Sequence, residues 1–450
     1  MNVPSFTPST LRRLACEIVR DLQDAGHESY LVGGCVRDAL LGRAPTDYDI
    51  ASSATPDRVE ALFPKTIPVG RKFGVVIVVA EHQQFQVATF RAESDYQDGR
   101  RPEQISFGNP RADALRRDFT INGLFFDPVR NQVHDWVGGE ADLRAKILRT
   151  IGAPEERFAE DHLRLLRAVR FAAQLDFQIE AATFAAIRTN AAKIRGISAE
   201  RIRDELLKLF RPPHAGRGLE LLRQSGLLAE ILPEIAATES CEQSPEFHPE
   251  GSVFNHLRLM FDHLPADAPD LLPWTVLLHD VAKPATATRD AATGRIHFYE
   301  HETVGATMAE QIMERLRFSR QQIEDVVACV RHHMQFNAAP QMRKSTLRRL
   351  LMRETFPLEL ALNRLDSLGS CHPPEVHDFL VAAAEDLARQ PQVVPPLVNG
   401  NDLIALGAKP GPPLGALLAE IREKQLLDEL ATAEQALDWA RSRLRGQPCP

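Results

Sequence analysis

The apolar pattern changes period near residue 150, and this constrains the fold more than any other feature of the chain. Before that point the sequence offers short apolar runs bounded by glycine and polar turns: "SYLVGG", "DYDIAS", "GVVIVVA" and "FQVATFR". Runs of that length read as strands. From Pro154 the period is helical. "ERFAEDHLRLLRAVRFAAQL" and "SAERIRDELLKLF" are both amphipathic, with Ile202, Leu206 and Leu209 forming a stripe in the second. Strands first and helices afterwards predict an α+β chain. Its 450 residues exceed one core, so roughly two to four domains are expected. Polar and Pro-rich joints ("RPPHAGRG", "ATESCEQSPEFHPEG", "RQPQVVPPLVNG") mark the boundaries. The expected layout is a small mixed-sheet head over 1–150, an all-α neck over 151–240, a histidine-rich helical domain over 241–370, and a linker with a helical tail over 371–450.

Composition excludes several classes. A net charge of -8 argues against a surface that binds nucleic acid everywhere. Arginines nevertheless crowd the stretch between Arg100 and Arg217, as in "GRR", "ALRRD" and "LRLLRAVR", and the guanidinium fork suits phosphate oxygens. The longest purely apolar run lies near "VVIVVA", far short of a membrane span. The N-terminus lacks the basic start and apolar centre of a signal peptide. Six scattered cysteines without a CxxC pair read as reduced thiols. The expectation is a cytoplasmic protein with no membrane association and no obligate protein partner.

The stretch "YLVGGCVRDALLGRAPTDYDIAS", from Tyr30, breaks a strand with Gly33-Gly34, starts a helix, and returns with Asp47 and Asp49. On a strand those carboxylates project to one face, while Tyr48 and Ile50 face the other. Their mutual repulsion calls for a cation, and a hard divalent ion suits oxygen ligands. Glycines at a strand–helix junction let a phosphate approach backbone N–H groups. A DxD pair alone is a weak signal; a phosphate cradle followed by paired carboxylates is what transfer from a nucleoside triphosphate requires.

"LVGGCVRDALLG…TDYDIA", "RRDFTINGLFFD", "EDHLRLLRAVRFAA" and "ISAERIRDELLKL" resemble, in order, the motifs of class II CCA-adding enzymes and bacterial poly(A) polymerases, of the DNA polymerase β-like nucleotidyltransferase superfamily. The resemblance covers roughly Ser29 to Phe210. It implies that Gly33, Gly34 and Arg37 contact the triphosphate and that Asp47 and Asp49 hold magnesium. Arg117 and Asp118, with Arg116 beside them, would meet the nucleotide and its ribose, and Asn122 would hold that motif in shape. In "EDHLR", Asp161 and Arg164 would read the edge of the incoming base from one helix face. The plain alternative is a Glu160–Arg164 helix pair, worth about 0.2–0.5 kcal/mol. Gln86 stands where many relatives carry a third acidic residue. The segment "ESDYQDGRRPEQISFGNP" resembles a loop associated with the switch to adenine addition.

A second constellation is His256, His279-Asp280, His301, His332-His333 and Asp366. Imidazole and carboxylate together suit transition metals. The order resembles HD-domain metal-dependent phosphohydrolases, in the form fused to bacterial tRNA nucleotidyltransferases, with the HD pair on one helix. This implies a divalent transition metal (Mn, Ni or Co) and a second, phosphohydrolase activity, against the alternative of an inert scaffold. The leading expectation is a nucleotidyltransferase that adds CCA to the tRNA 3′ end from CTP and ATP with Mg2+. The nearest alternative is a poly(A) polymerase. An HD-type RNA phosphohydrolase whose head positions RNA is the rival from another class. A non-catalytic RNA-binding module has no use for the paired carboxylates.

Overall fold

The computed structural model describes residues 9–91, 96–97, 101–102, 108–246, 248–370, 375–389, 395–427 and 429–445. The chain divides into two compact units, one of residues 1–236 with 315–317, the other of 237–314 with 318–450.

The first unit opens with the helix Thr10–Asp24, capped by the Ser9 hydroxyl and packed through Leu14, Ile18 and Leu22. Its sheet has seven strands: β1 (Ser29–Val32), β2 (Asp49–Ser52), β3 (Thr66–Ile67), β4 (Val75–Ala80), β5 (Gln83–Thr89), β6 (Leu124–Asp127) and β7 (Gln132–Asp135). Their spatial order is β3-β4-β5-β2-β1-β6-β7. β2 runs parallel to β5 and antiparallel to β1, so the sheet is mixed as expected. The connection between β4 and β5 is a two-residue turn. Glu81 and His82 alone make the turn, both at positive φ (44° and 66°), a geometry whose twist matches the flanking strands. Most of the loop 93–110 lies outside the described residues.

After Pro154 the unit is almost entirely helical. The helices Leu163–Leu175, Ala199–Leu209 and Ala215–Gln224 pack together around Leu166, Val169, Leu206 and Leu219. Gly218 permits this closeness, since a Cβ there would stand 2.7 Å from Leu209 Cδ1.

The second unit is helical apart from a two-stranded ribbon, Ala287–Arg289 with Ile296–Phe298, and has a buried Trp274 and Phe261 among its core. The helices that matter for chemistry are Val253–Asp262, Leu272–Leu278, His301–Arg315, Arg320–His332 and Phe356–Gly369. Leu380, on the helix Glu375–Arg389, shares a core with Phe336 and Phe356. A further cluster joins Leu403, Leu417, Ile421 and Ala436 near the C-terminus. Among the described residues no helix is long and apolar enough to cross a membrane.

Candidate functional site

A pocket of about 710 Å³ in the first unit gathers most of the residues singled out in the head and neck. Asp47 precedes β2 and Asp49 opens it, but the alternation holds. Asp47 and Asp49 are exposed to the pocket, while Tyr48 and Ile50 are buried. Asp49 is reached by solvent yet ringed by protein. Desolvation and then the Asp47 charge push its carboxyl up, with Arg117 opposing. Two neighbouring carboxylates oppose each other's ionisation in this way. Gln86, on β5, lines the same pocket with a carboxamide.

Gly33 ends β1 at φ 74°, ψ -131°, a conformation that side chains avoid. Its N–H donates to Leu124 O at 3.3 Å, so the cradle depends on the turn beyond it rather than on this group. Arg37 is buried. Its Nε donates to Asp38 Oδ1 (2.8 Å) and its Nη1 to Asn122 Oδ1 (2.7 Å). Asn122 in turn donates to Asp118 Oδ1 at 3.2 Å, the shape-holding place expected for it. Asp118 also accepts from Arg167 Nη2 at 2.5 Å. Burial would raise the Asp118 carboxyl; Arg167 and Asn122 outweigh it and hold it at about 2.

The "EDHLR" segment departs from expectation. Asp161 and Arg164 do not lie on one continuous helix. The helix Pro154–Glu160 ends before Asp161, which is extended (φ -148°, ψ 105°), and the next helix starts at Leu163. Asp161 Oδ1 accepts from Leu163 N–H at 3.1 Å, capping that second helix, and Oδ2 accepts from Arg201 at 2.7 Å. Arg164 pairs with Glu160 across the break between the two helices, and also donates to Arg157 O (3.0 Å) and Arg116 O (3.2 Å). Both groups still face the pocket. Sequence reasoning missed Arg167, Arg170, Arg201 and Lys208, which line it too. The available signal was the arginine-dense "LRLLRAVR" for the first two, and for Arg201 and Lys208 the basic residues that flank the Ile202–Leu206–Leu209 stripe.

The second unit holds a histidine centre beside a pocket of about 330 Å³. His279 caps the helix Leu272–Leu278, and Asp280 lies in the turn that follows, so the pair is not within one helix. A new helix starts at Lys283 with Pro284 in its first turn, where proline is tolerated. His279 Nε2 is 3.2 Å from Asp280 Oδ2, His301 Nε2 is 3.4 Å from Oδ1, and the Nε2 atoms of His301 and His333 are 3.2 Å apart. The Nδ1 atoms of these three rings each face a backbone carbonyl: Val276 O (2.9 Å), Phe298 O (2.8 Å) and Val330 O (2.7 Å). A carbonyl only accepts, so in the neutral rings the proton sits on Nδ1 and every Nε2 presents a lone pair inward. Burial, followed by the charge of His279, pushes His333 down to about 4. His279 Nε2 and Asp280 Oδ1 are buried without a hydrogen-bond partner. Lone pairs that converge on a carboxylate fit a divalent cation, with the carbonyls as orienting partners.

His256 differs from these rings. Its Nε2 meets Asp366 at 3.0 Å and its Nδ1 meets Glu250 at 2.9 Å. Burial would lower it, but Asp366 and Glu250 raise it to about 10. Glu250 and His248 (2.8 Å apart) were not among the expected ligands. His332 was, and does not join: its Nδ1 points to Glu359, 3.7 Å away.

Residues 29–149 match the poly A polymerase head domain, 176–238 the probable RNA- and SrmB-binding site of polymerase A, and 251–369 the HD domain. Head, RNA-binding and HD models thus match the chain in that order. The CCA-adding enzyme of Geobacillus kaustophilus strain HTA426 is 46% identical over 224 residues, 50% of this chain and 55% of that one. The CCA-adding enzyme of Staphylococcus aureus strain MRSA252 is 47% identical over 195 residues, 43% and 48% of the two chains. The chain thus spans about half the length of the curated relatives it matches. The Bacillus stearothermophilus CCA-adding enzyme, solved in complex with CTP, superposes over 98% of this chain and 99% of its own, with TM-score 0.74 and 28% identity. The Thermotoga maritima CCA-adding enzyme, solved with tRNA, shares the fold at TM-score 0.56 and 19% identity, over 97% and 96% of the chains.

Proposed function

We propose that this protein is a template-independent nucleotidyltransferase that builds or repairs the 3′-terminal CCA of tRNA from CTP and ATP. The observation that carries the reading is that Asp47, just before β2, and Asp49, at its start, face one pocket shared with Gly33, Arg116 and Arg117. Magnesium held by the two aspartates would neutralise the triphosphate and activate the attacking hydroxyl. The chain's own groups do the positioning: Gly33, Gly34 and Arg37 seat the triphosphate, Arg116, Arg117 and Asp118 the nucleotide, and Asp161 with Arg164 the base. The acceptor carboxylate and donor guanidinium of that last pair complement cytosine and adenine, each of which offers an exocyclic amine beside an acceptor nitrogen. In this division of labour the head extends to about 150, the neck covers 151–240, the HD-type domain 241–370 and the tail 371–450. The names of the relatives support CCA addition; the head match supports poly(A) synthesis as a second reading, since the base-reading motif is shared.

The histidine centre is a second activity in the same proposal. Manganese, nickel or cobalt bound by His256, His279, Asp280, His301, His333 and Asp366 would supply a metal-activated water. Phosphoesters that block an RNA 3′ end (2′,3′-cyclic or terminal phosphates) are its proposed substrates. One experiment separates the readings. Purified protein receives tRNA lacking CCA and each nucleotide in turn, with products resolved at single steps. Addition of C, C, A and then arrest supports the proposal, and a run of A marks a poly(A) polymerase. No addition, with phosphate release under transition metal, leaves the hydrolase reading.

A further inference from the structure

Asp113 belongs to none of the motifs discussed above, yet the geometry of the nucleotide pocket turns on it. It sits in the helix Pro110–Leu115, and its side chain is 2% exposed. Oδ1 accepts from Arg116 Nε (2.8 Å) and Nη2 (2.5 Å), and from the Arg91 backbone N–H (3.1 Å). Oδ2 accepts from Arg117 Nε (3.3 Å) and Nη2 (3.0 Å). One buried carboxylate therefore grips both guanidiniums by the same edge and leaves the two Nη1 edges for something else.

The direction of the Arg117 edge is the telling part. Arg117 Nη1 lies 3.2 Å from where a Cβ on Gly33 would stand. Its guanidinium rests over the Phe125 ring at 5.0 Å, and its charge acts on Asp49. Arg116 is tied to the base-reading segment, because Arg164 donates to its carbonyl. Burial would raise the Asp113 carboxyl, but Arg117 and Arg116 bring it below its ordinary value, so it is ionised at neutral pH. Two guanidiniums and one carboxylate leave one net positive charge. Orientation is gained without cancelling the attraction for phosphate.

We propose that Asp113 is a positioning residue of the nucleotide site, whose carboxylate holds Arg116 in the pocket and aims Arg117 at the phosphate end of the bound nucleotide, beside Gly33. This rests on the nucleotidyltransferase reading. Asp113 touches no substrate; it acts through the arginines. A surface ion pair at helical spacing would be worth little. A buried carboxylate serving two pre-set guanidiniums removes the ordering cost that free arginines would carry on binding.

The test compares the full chain with Asp113→Asn, Asp113→Glu, Arg117→Ala and the Asp113→Asn/Arg117→Ala double variant. CTP and cytidine are titrated onto each, and the addition rate is measured on tRNA lacking CCA. Asp113→Asn should raise both Kd and KM for CTP by about 10- to 100-fold, as for loss of a charge-assisted bidentate contact, with kcat changed far less. Cytidine, which lacks phosphate, should bind as to the wild type, Asp113→Glu should recover part of the CTP affinity, and the Asn effect should shrink once Arg117 is absent. Equal losses for CTP and cytidine, or a full Asn effect without Arg117, would make Asp113 a structural residue and overturn the assignment. If the Asn variant does not fold, Asp113→Glu decides: CTP affinity at the wild-type level overturns the aiming role, since the longer arm displaces both arginines. A wild-type chain that binds no CTP is a different failure, that of the nucleotide-site reading itself, and it removes this assignment too.

Discussion

Two neighbouring glycines have the same expected duty, and the geometry separates them. Gly33→Ala places a side chain at φ 74°, ψ -131°, and its Cβ would meet Arg117 Nη1 at 3.2 Å. Gly34 is the first residue of a helix, and a Cβ there would meet Arg37 Nη2 at 3.6 Å, an ordinary contact. Backbone forced into a region that side chains avoid costs about 1–3 kcal/mol. At 1.4 kcal/mol per tenfold, that is about 5- to 150-fold. The cost appears in one of two places. If the turn holds its shape, the first unit loses stability by that amount, about 2–4 °C in Tm per kcal/mol for a unit of this size. If the turn rotates to relieve it, the phosphate seat moves and kcat/KM for CTP falls by the corresponding factor. Gly34→Ala should be neutral or slightly stabilising, because alanine is favoured over glycine within a helix by about 0.5–1 kcal/mol. The assay pairs thermal unfolding with single-nucleotide CTP incorporation on the same preparations. The reasoning fails if Gly33→Ala matches the wild type in both measurements, or if Gly34→Ala is the more damaged variant.

Asp49→Ala should abolish transfer with every nucleotide while tRNA binding, followed by filter retention, stays near the wild-type level. Asp118 is held at about 2 against an ordinary value of 3.8. A depressed carboxyl stabilises the fold above its unfolded pKa and loses that contribution as pH falls toward the folded one. It is therefore worth about 2 kcal/mol near neutrality and fades between about pH 4 and 2. The Tm gap between wild type and Asp118→Asn should be widest near pH 6 and narrow on acidification; a gap that does not vary with pH would refute the coupling to Arg167. Asp280→Ala should strip bound transition metal and remove phosphoester hydrolysis, with CTP addition to undamaged tRNA unchanged; retention of metal by elemental analysis would count against the assignment. Glu250→Gln should weaken metal retention by roughly 10- to 100-fold in chelator competition, as for other carboxylates that orient a histidine ligand.

What the sequence made legible follows from which periods are rigid. Alternation along extended backbone leaves little freedom, so the sequence puts Asp47 and Asp49 on one side, and the burial of Tyr48 and Ile50 on the other keeps them there. The α+β order was equally open, because apolar spacing changes at Pro154. "EDHLRLLRAVRF" was not, since it contains no glycine or proline and reads as one helix. At the interruption the Asp161 carboxylate is held both locally, by Leu163 N–H, and by Arg201 from 40 residues away, a partner that local spacing does not reveal. Adjacent His332 and His333 posed a different problem. Neighbours on a helix point about 100° apart, and spacing alone does not say which one faces inward. Glu250 stayed hidden because a carboxylate that serves a histidine, rather than a metal, has no spacing rule.

The histidine centre draws its side chains from segments far apart along the chain: His256 and Asp366, 3.0 Å from each other, are separated by 110 positions. A cation seated among them would act as a rivet. Cross-linking a loop of about 100 residues removes roughly 4–5 kcal/mol of disorder from the unfolded chain in the chain-entropy view, and a cation present at a hundred times its dissociation constant adds about 2.7 kcal/mol to the folded side. The second unit would then be only as firm as the supply of metal around it. A protease should register this before any assay of phosphate does, cutting between residues 256 and 366 faster in chelator than in manganese and leaving the first unit at its usual pace in both.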